Sequence, residues 1–326
     1  MRVLVTGGAG YIGSHMVKLL VESGAQVTVV DDLSTGHADA VRGRDFVRGD
    51  VADATFTKNL LEQKQIEAVV HFAACSLVGE SVADPLMYYR RNVGGTAGLV
   101  EAMRQAKVTR LVFSSTAAVY GDPVRTPIDE AHPTQPVNPY GSSKLAIERM
   151  LAECSSAYGI GAGSVEVAQH DGADPVGAAA LGERHDPETH LIPLVLQAAS
   201  GRRPSISVFG NDWPTRDGSC VRDYIHVSDL CVAHQLALDW LAAGGRYECF
   251  NLGNGEGATV LEVIEAARRV TGRTIRMVEA QRRPGDPPSL VADASKARQA
   301  LGWKPARADI EGIVRDAWNF EQRRAR

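Results

Sequence analysis

The sequence predicts an α/β protein: a Rossmann-type, doubly wound parallel sheet with a smaller, mixed α/β C-terminal lobe. Three observations lead there. Short apolar runs alternate with amphipathic stretches through the first half of the chain, the order that gives parallel strands with crossover helices. A glycine-rich turn, VTGGAGYIG, joins the first apolar run to the first amphipathic stretch. Beyond Ala162 the pattern changes: Gly and Pro crowd Gly172–Pro193, and then helical patterns mix with short strands. The expected division is residues 1–170 for the sheet domain and 171–326 for the second lobe, the two partly interleaved.

Arg2–Thr6, Gln26–Val30, Asp45–Arg48, Ala68–Phe72 and Arg110–Ser114 read as strands. Tyr11–Ser23 and Asn92–Ala106 carry helical spacing between them. Asp122–Pro139 is rich in Pro and reads as a long loop. Pro139 opens a helix to about Tyr158; in the first turn a Pro forfeits no hydrogen bond. Farther on, Thr259 caps a helix over Leu261–Val270, and Ile310–Phe320 reads as a terminal helix.

Composition narrows the function. The 326 residues are 44% apolar and 23% charged, with a net charge of −4. That is an ordinary globular balance with no basic excess to hold nucleic acid or an anionic membrane. No apolar run reaches the roughly 20 residues that span a bilayer, and Met1 leads directly into a strand, so no signal peptide is expected. Five scattered cysteines lack C-x-x-C spacing, which points to reduced thiols in a cytoplasmic protein.

Gly7, Gly10 and Gly13 follow the first strand at the spacing of a pyrophosphate-binding turn. The first permits the turn, the second lets backbone approach a phosphate, and the third lets helix pack on strand. The helix start then offers free N–H groups to the anion. Asp31 ends the second strand, 18 residues after Gly13, where a carboxylate accepts the ribose hydroxyls of NAD and repels the extra phosphate of NADP. Asp32 doubles the charge, and Asp50-Val51 at the end of the next strand fits an adenine contact.

Tyr140 and Lys144 are four apart on a helix and share one face. A phenol titrates near 10, so a Tyr acting as a base at neutral pH must drop by roughly 3 units, about 4 kcal/mol. A nearby ammonium and a nicotinium ring can supply that together. Thr116 sits at the carboxyl end of its strand, where such sheets bind ligands, and its hydroxyl can share the proton.

These residues resemble the extended short-chain dehydrogenase/reductase family. The stretches HFAACSLVGESV, NVGGT, FSSTAAVYG, NPYGSSK, GERHDPETHLIPLVLQAA, GSCVRDYIHVSDL, FNLGNG and RRPGDPPSLVADASKA carry the likeness across nearly the whole chain, and the C-terminal ones point to its nucleotide-sugar epimerases. The resemblance implies NAD held through the cycle and a substrate pair, UDP-galactose and UDP-glucose, interconverted at carbon 4 through a transient 4-keto sugar. It places Tyr11, Ile12, Phe72, Ala73, Ala74, Asn92 and Ser114 around the cofactor, with Tyr140, Lys144 and Thr116 as the catalytic group. Arg222 and Arg283 match diphosphate-binding arginines, Asp286 a ribose-binding acid, and Phe209 a uracil-facing aromatic. His190 and Leu191 fall beside the nucleotide phosphates, and Leu290 falls where a residue gates the sugar pocket. Ser76 stands where some members carry a Lys that reaches the cofactor. The family also implies a homodimer through helices around Pro85–Arg104 and Pro139–Tyr158.

One block departs. Where the family reads Leu-Arg-Tyr-Phe-Asn-Ala-Ala, this chain has Val165, Glu166, Val167, Ala168, Gln169, His170 and Asp171. Val167 and Ala168 cannot stack beside a nicotinamide, Gln169 is one methylene longer than the substrate-bonding Asn, and Glu166 reverses a charge. Confined to seven positions, the block reads either as one event, such as a local frame slip, or as a genuine variant site. The competing expectation is therefore a folded NAD- and UDP-sugar-binding protein with impaired catalysis. A nucleotide-sugar dehydratase fits less well, because Ala117-Ala118 after Thr116 cannot move a proton. No metal is expected: His185 and His190, with Asp186 and Glu188, suit neither one helical face nor a zinc knuckle.

Overall fold

The computed structural model describes residues 1–167, 169–174, 181–283 and 286–324. The first domain alternates strand and helix: β1 (Arg2–Thr6), α1 (Tyr11–Glu22), β2 (Gln26–Asp31), β3 (Asp45–Arg48), α2 (Ala54–Gln63) and β4 (Ala68–His71). Then come α3 (Val78–Ala83), α4 (Pro85–Tyr88), α5 (Gly95–Ala106), β5 (Arg110–Ser114), α6 (Pro139–Tyr158) and β6 (Gly161–Val167). The helix expected from Asn92 begins earlier, because a π-turn over Tyr89–Gly94 runs α4 into α5 without a break. Asn138 caps α6 by accepting from the Gly141 N–H at 2.9 Å, and Pro139 takes the first turn.

The remainder holds β7 (Gln169–Asp171), α7 (Leu191–Ala199), β8 (Ile206–Phe209), β9 (Val221–Arg222), β10 (Tyr224–His226), α8 (Val227–Ala242) and β11 (Tyr247–Leu252). It ends with β12 (Ala258–Thr259), α9 (Val260–Thr271), β13 (Met277–Ala280), β14 (Ser289–Leu290), α10 (Ser295–Leu301) and α11 (Ile310–Arg324). Thr259 and Glu262 form a reciprocal capping box at the start of α9.

Seven strands form one parallel sheet in the order β11-β6-β5-β4-β1-β2-β3. The strand order reverses between β1 and β4, and ligands bind at the carboxyl ends of strands beside such a switch point. One face is covered by α1 and α8, packing Met16, Leu20, Leu230 and Leu238 on Val3, Val5, Val70 and Val112. The other carries α2, α5 and α6 through Leu61, Leu99, Met103 and Ile147 on Leu4, Val69, Leu111 and Phe113. Each such side chain, fully buried, contributes about 1.5–3 kcal/mol. A third cluster joins α7, α9 and α11 and forms the core of the second lobe. That lobe's short strands pair locally, β12-β9-β14, β8 with β13, and β7 with β10.

Candidate active site

The glycine loop is shaped by close approach. Gly7 has φ +67°, and a Cβ there would lie 2.6 Å from the Ala73 nitrogen. A Cβ on Gly13 would lie 2.2 Å from the Gly7 carbonyl oxygen. Gly10 precedes α1 without a side-chain cap, so the amides of the first turn, at Tyr11 and Ile12, face the loop. Asp31 is buried at the end of β2; its oxygens accept from the N–H groups of Ala9 at 3.0 Å and Leu33 at 2.8 Å. Burial raises its carboxyl pKa, and these bonds oppose the rise. Asp32 and Asp50 are exposed and hold local turns through Ser34 and Ala52, while Val51 is buried. These residues fit NAD: a cradle that only glycine permits, a helix start above it, and an acid at the second strand end.

The catalytic candidates stand one switch point away. Thr116 follows β5, and Tyr140 and Lys144 lie in the first two turns of α6. Burial raises the Tyr140 phenol, and a hydrogen bond with Thr116 pulls it back down. Lys144 is buried, donates to the Ser114 carbonyl at 2.8 Å, and lies 5.9 Å from the Tyr140 ring centre. Burial lowers its pKa to about 8, against the pull of Glu148. Asn92 is buried beneath the pair. It exchanges hydrogen bonds with the Cys75 backbone at 2.8 and 3.0 Å and donates to Ser143 Oγ at 3.1 Å, tying α6 to the segment after β4. Phe72 packs on His234 at 4.9 Å between ring centres, Ala73 and Ala74 are half-buried beside it, and Ser76 is exposed.

The nucleotide-side residues gather in the second lobe. Arg222 and Leu290 are register partners in β9 and β14. An Arg222 guanidinium nitrogen lies 3.6 Å from Asp286, and another donates to the Pro287 carbonyl at 3.0 Å. Asp223, beside it, is buried and accepts from the N–H groups of Asn254 and Ala292, so the ion pair runs to Asp286 instead. The Arg283 guanidinium lies 3.8 Å over the Phe209 ring, which couples the diphosphate and uracil candidates to each other. Leu290 packs against the cluster of Ala117, Tyr120 and Leu145, and so links this lobe to the strand end carrying Thr116. His190 caps α7 and Leu191 begins it.

The departing block is only partly within the described residues. Ala168 and the side chain of Gln169 lie outside them; the Gln169 backbone pairs with Tyr224. Glu166 points into the protein, 3% exposed, with Oε2 lacking a hydrogen-bond partner. It faces Glu148, which sits one turn beyond Lys144 and accepts a hydrogen bond from Ser115. Burial first, and then Glu148, pushes the Glu166 carboxyl well above its usual range. Glu148 and Ser115 escaped the reading of the sequence, although the spacing of Lys144 and Glu148 on one helical face was there to find.

Comparisons with known proteins agree with this geometry. Residues 4–317 match the family described as GDP-mannose 4,6 dehydratase. The UDP-glucose 4-epimerase of Halalkalibacterium halodurans is 51% identical over 322 residues, spanning 99% of this chain and 96% of that one. The crystal structure of UDP-glucose 4-epimerase from Brucella ovis in complex with NAD is 46% identical, with a TM-score of 0.95 over 98% of this chain and 97% of that one. The UDP-Glc/GlcNAc 4-epimerase of Campylobacter jejuni is 39% identical, with a TM-score of 0.87 over 99% of each chain. Likeness across the whole length favours an enzyme over a protein that only binds.

Proposed function

The chain belongs to the GDP-mannose 4,6 dehydratase family within the extended short-chain dehydrogenases/reductases, and on that premise we propose that it is an NAD-dependent UDP-glucose 4-epimerase. The observation that carries the reading is Thr116, Tyr140 and Lys144 at the carboxyl end of β5, beside a glycine cradle at the switch point. NAD supplies the hydride acceptor and donor when bound. The chain's own residues do the rest. Tyr140 takes the proton of the sugar 4-hydroxyl and returns it, with the Thr116 hydroxyl sharing it. Lys144 places an ammonium near the phenol and favours the phenolate. Arg222 and Arg283 hold the diphosphate while the 4-keto sugar turns over, and Asp286 and Phe209 fix the nucleoside.

A dehydratase would need an acid pair after the active-site Thr, and here Ala117 and Ala118 follow it. Incubation with UDP-galactose tests both readings. We expect UDP-glucose of unchanged mass; loss of water from the sugar, or no turnover, overturns the assignment.

A homodimer through α4, α5 and α6 is part of the same proposal. Leu86 is 69% exposed, Tyr89 41% and Tyr158 57%, large apolar side chains left in solvent along that stretch. A monomer mass by light scattering at micromolar concentration would refute it. Five free cysteines support a cytoplasmic location, and no helix among the described residues is long and apolar enough to cross a membrane.

A further inference from the structure

We propose that Glu183, His185, Glu188 and His190 bind one divalent metal ion of the zinc class on the rim of the cofactor cradle. One ligand atom from each, four in all, lie within 4.8 Å of one another. His185 Nδ1 is 2.8 Å from Glu183 Oε1 and 4.0 Å from Glu188 Oε1. His190 Nδ1 is 3.5 Å from Glu188 Oε1 and also meets Glu183 Oε1. In a tetrahedral site with bonds of about 2.1 Å, neighbouring ligand atoms sit about 3.4 Å apart. The observed separations bracket that value.

The donor set has the right chemistry. Two imidazoles and two carboxylates suit zinc and its neighbours, whereas magnesium and calcium favour oxygen alone. Glu183 supplies an independent sign. Both histidines bond to its Oε1, while Oε2 is buried without a hydrogen-bond partner on a side chain only 4% exposed. A buried carboxylate oxygen left without a hydrogen-bond partner keeps its lone pairs for a cation. Glu188 is already oriented, its Oε1 accepting from the N–H groups of Thr189 at 2.8 Å and His190 at 2.9 Å. His170 lies 5.7 Å from His190 between ring centres, and its Nδ1 also has no partner, so a fifth donor is near.

Sequence spacing argued against a metal because it assumed a helix or a knuckle. The four residues instead converge from an irregular segment, and Glu183 takes the place expected of Asp186, which is exposed. His185, Arg184 and Leu181 line the same cleft as Gly10 and Tyr11. An ion held there fastens this segment beside the glycine loop. Binding through Nδ1 leaves the His190 proton on Nε2, so His190 keeps a donor for a nucleotide phosphate.

The full chain with its NAD, freed of metal by a chelator, is titrated with zinc in a calorimeter and with cobalt(II) in a spectrophotometer. We expect one equivalent bound, intense visible cobalt bands of a four- or five-coordinate site, and a zinc-dependent rise in Tm. Glu183→Gln and His185→Gln each weaken zinc binding at least tenfold, with NAD content and circular dichroism unchanged. His185 is the more exposed of the two, with a side chain 28% accessible, and carries the test if Glu183→Gln fails to fold. No stoichiometric uptake, a weak octahedral cobalt spectrum, or equal affinity in His185→Gln overturns the proposal.

Discussion

Strands β5 and β6 lie side by side in one sheet, paired in parallel from Arg110–Gly161 to Ser114–Val165, yet they are built from opposite materials. In β5, Leu111, Val112 and Phe113 fill the core on both faces, as a buried parallel strand should. In β6 all seven residues are buried, but four are Gly161, Ala162, Gly163 and Ser164, and a fifth is Glu166. Ser164 Oγ and Glu166 Oε2 are buried without hydrogen-bond partners. Strand geometry is therefore imposed on β6 by β5 and β11 on either side, and the residues supply little of it. The two strands also lead to unlike ends. β5 runs into Thr116 and the Tyr140–Lys144 face; β6 ends within the block where the family carries Tyr, Phe and Asn and this chain carries Val167, Ala168 and Gln169.

If the chemistry rests on the β5 side, Tyr140→Phe should be the most damaging single change. We expect turnover to fall at least about a hundredfold with NAD content unchanged, measured by conversion of UDP-galactose. Near-normal turnover would remove Tyr140 from the mechanism. The β6 side is probed by replacing residues 165–171 with Leu-Arg-Tyr-Phe-Asn-Ala-Ala. The expected gain in kcat/KM is at least about tenfold, roughly 1.4 kcal/mol. Equal rates would mean that the nicotinamide wall is not needed.

The contrast should also show in stability. Burial raises the Glu148 carboxyl to about 7, and burial together with Glu148 pushes Glu166 well above its usual range. Acids whose folded pKa is raised favour folding most below the unfolded value near 4.5, and this contribution is lost as pH climbs toward the folded one. Thermal unfolding should therefore show Tm falling from pH 5 to pH 7 through this pair, and Glu166→Gln should flatten that slope. Glu166→Arg, which gives Glu148 a cation, should raise Tm at pH 7 by about 5 °C. A slope unchanged in Glu166→Gln would show that the pair does not govern it. The smallest effect is expected at Leu290, which packs against Ala117, Tyr120 and Leu145 on the β5 side. If a Leu there leaves room for an N-acetyl group, Leu290→Tyr should lower the ratio of UDP-N-acetylglucosamine to UDP-glucose activity several-fold. An unchanged ratio would end the gate idea.

What could be read from the sequence was local. Gly7, Gly10 and Gly13 are constrained by a turn nine residues long, and Pro139 announces its helix from the first turn. The four-residue spacing of Tyr140 and Lys144 fixes their shared face. What escaped was set by distant partners. Nothing near Glu166 in sequence shows that it faces Glu148, because the two meet only through the packing of α6 on the sheet. The Arg283–Phe209 stack joins residues far apart in the chain. The convergence of Glu183, His185, Glu188 and His190 lies in an irregular segment, where no periodicity predicts direction.

The place of β11 at the edge of the main sheet bears on how the protein is made. A ribosome that has just delivered β6 has not yet made its outer neighbour; 79 residues separate Val167 from Tyr247. Through that interval the nascent chain carries an open strand edge, and the edge strand is the weak, glycine-rich β6 rather than a sturdy one. Synthesis stalled or truncated there leaves an incomplete sheet with a pairing surface exposed to other chains. The interval between these two strands is thus one in which the chain carries an unpaired edge that other chains can meet.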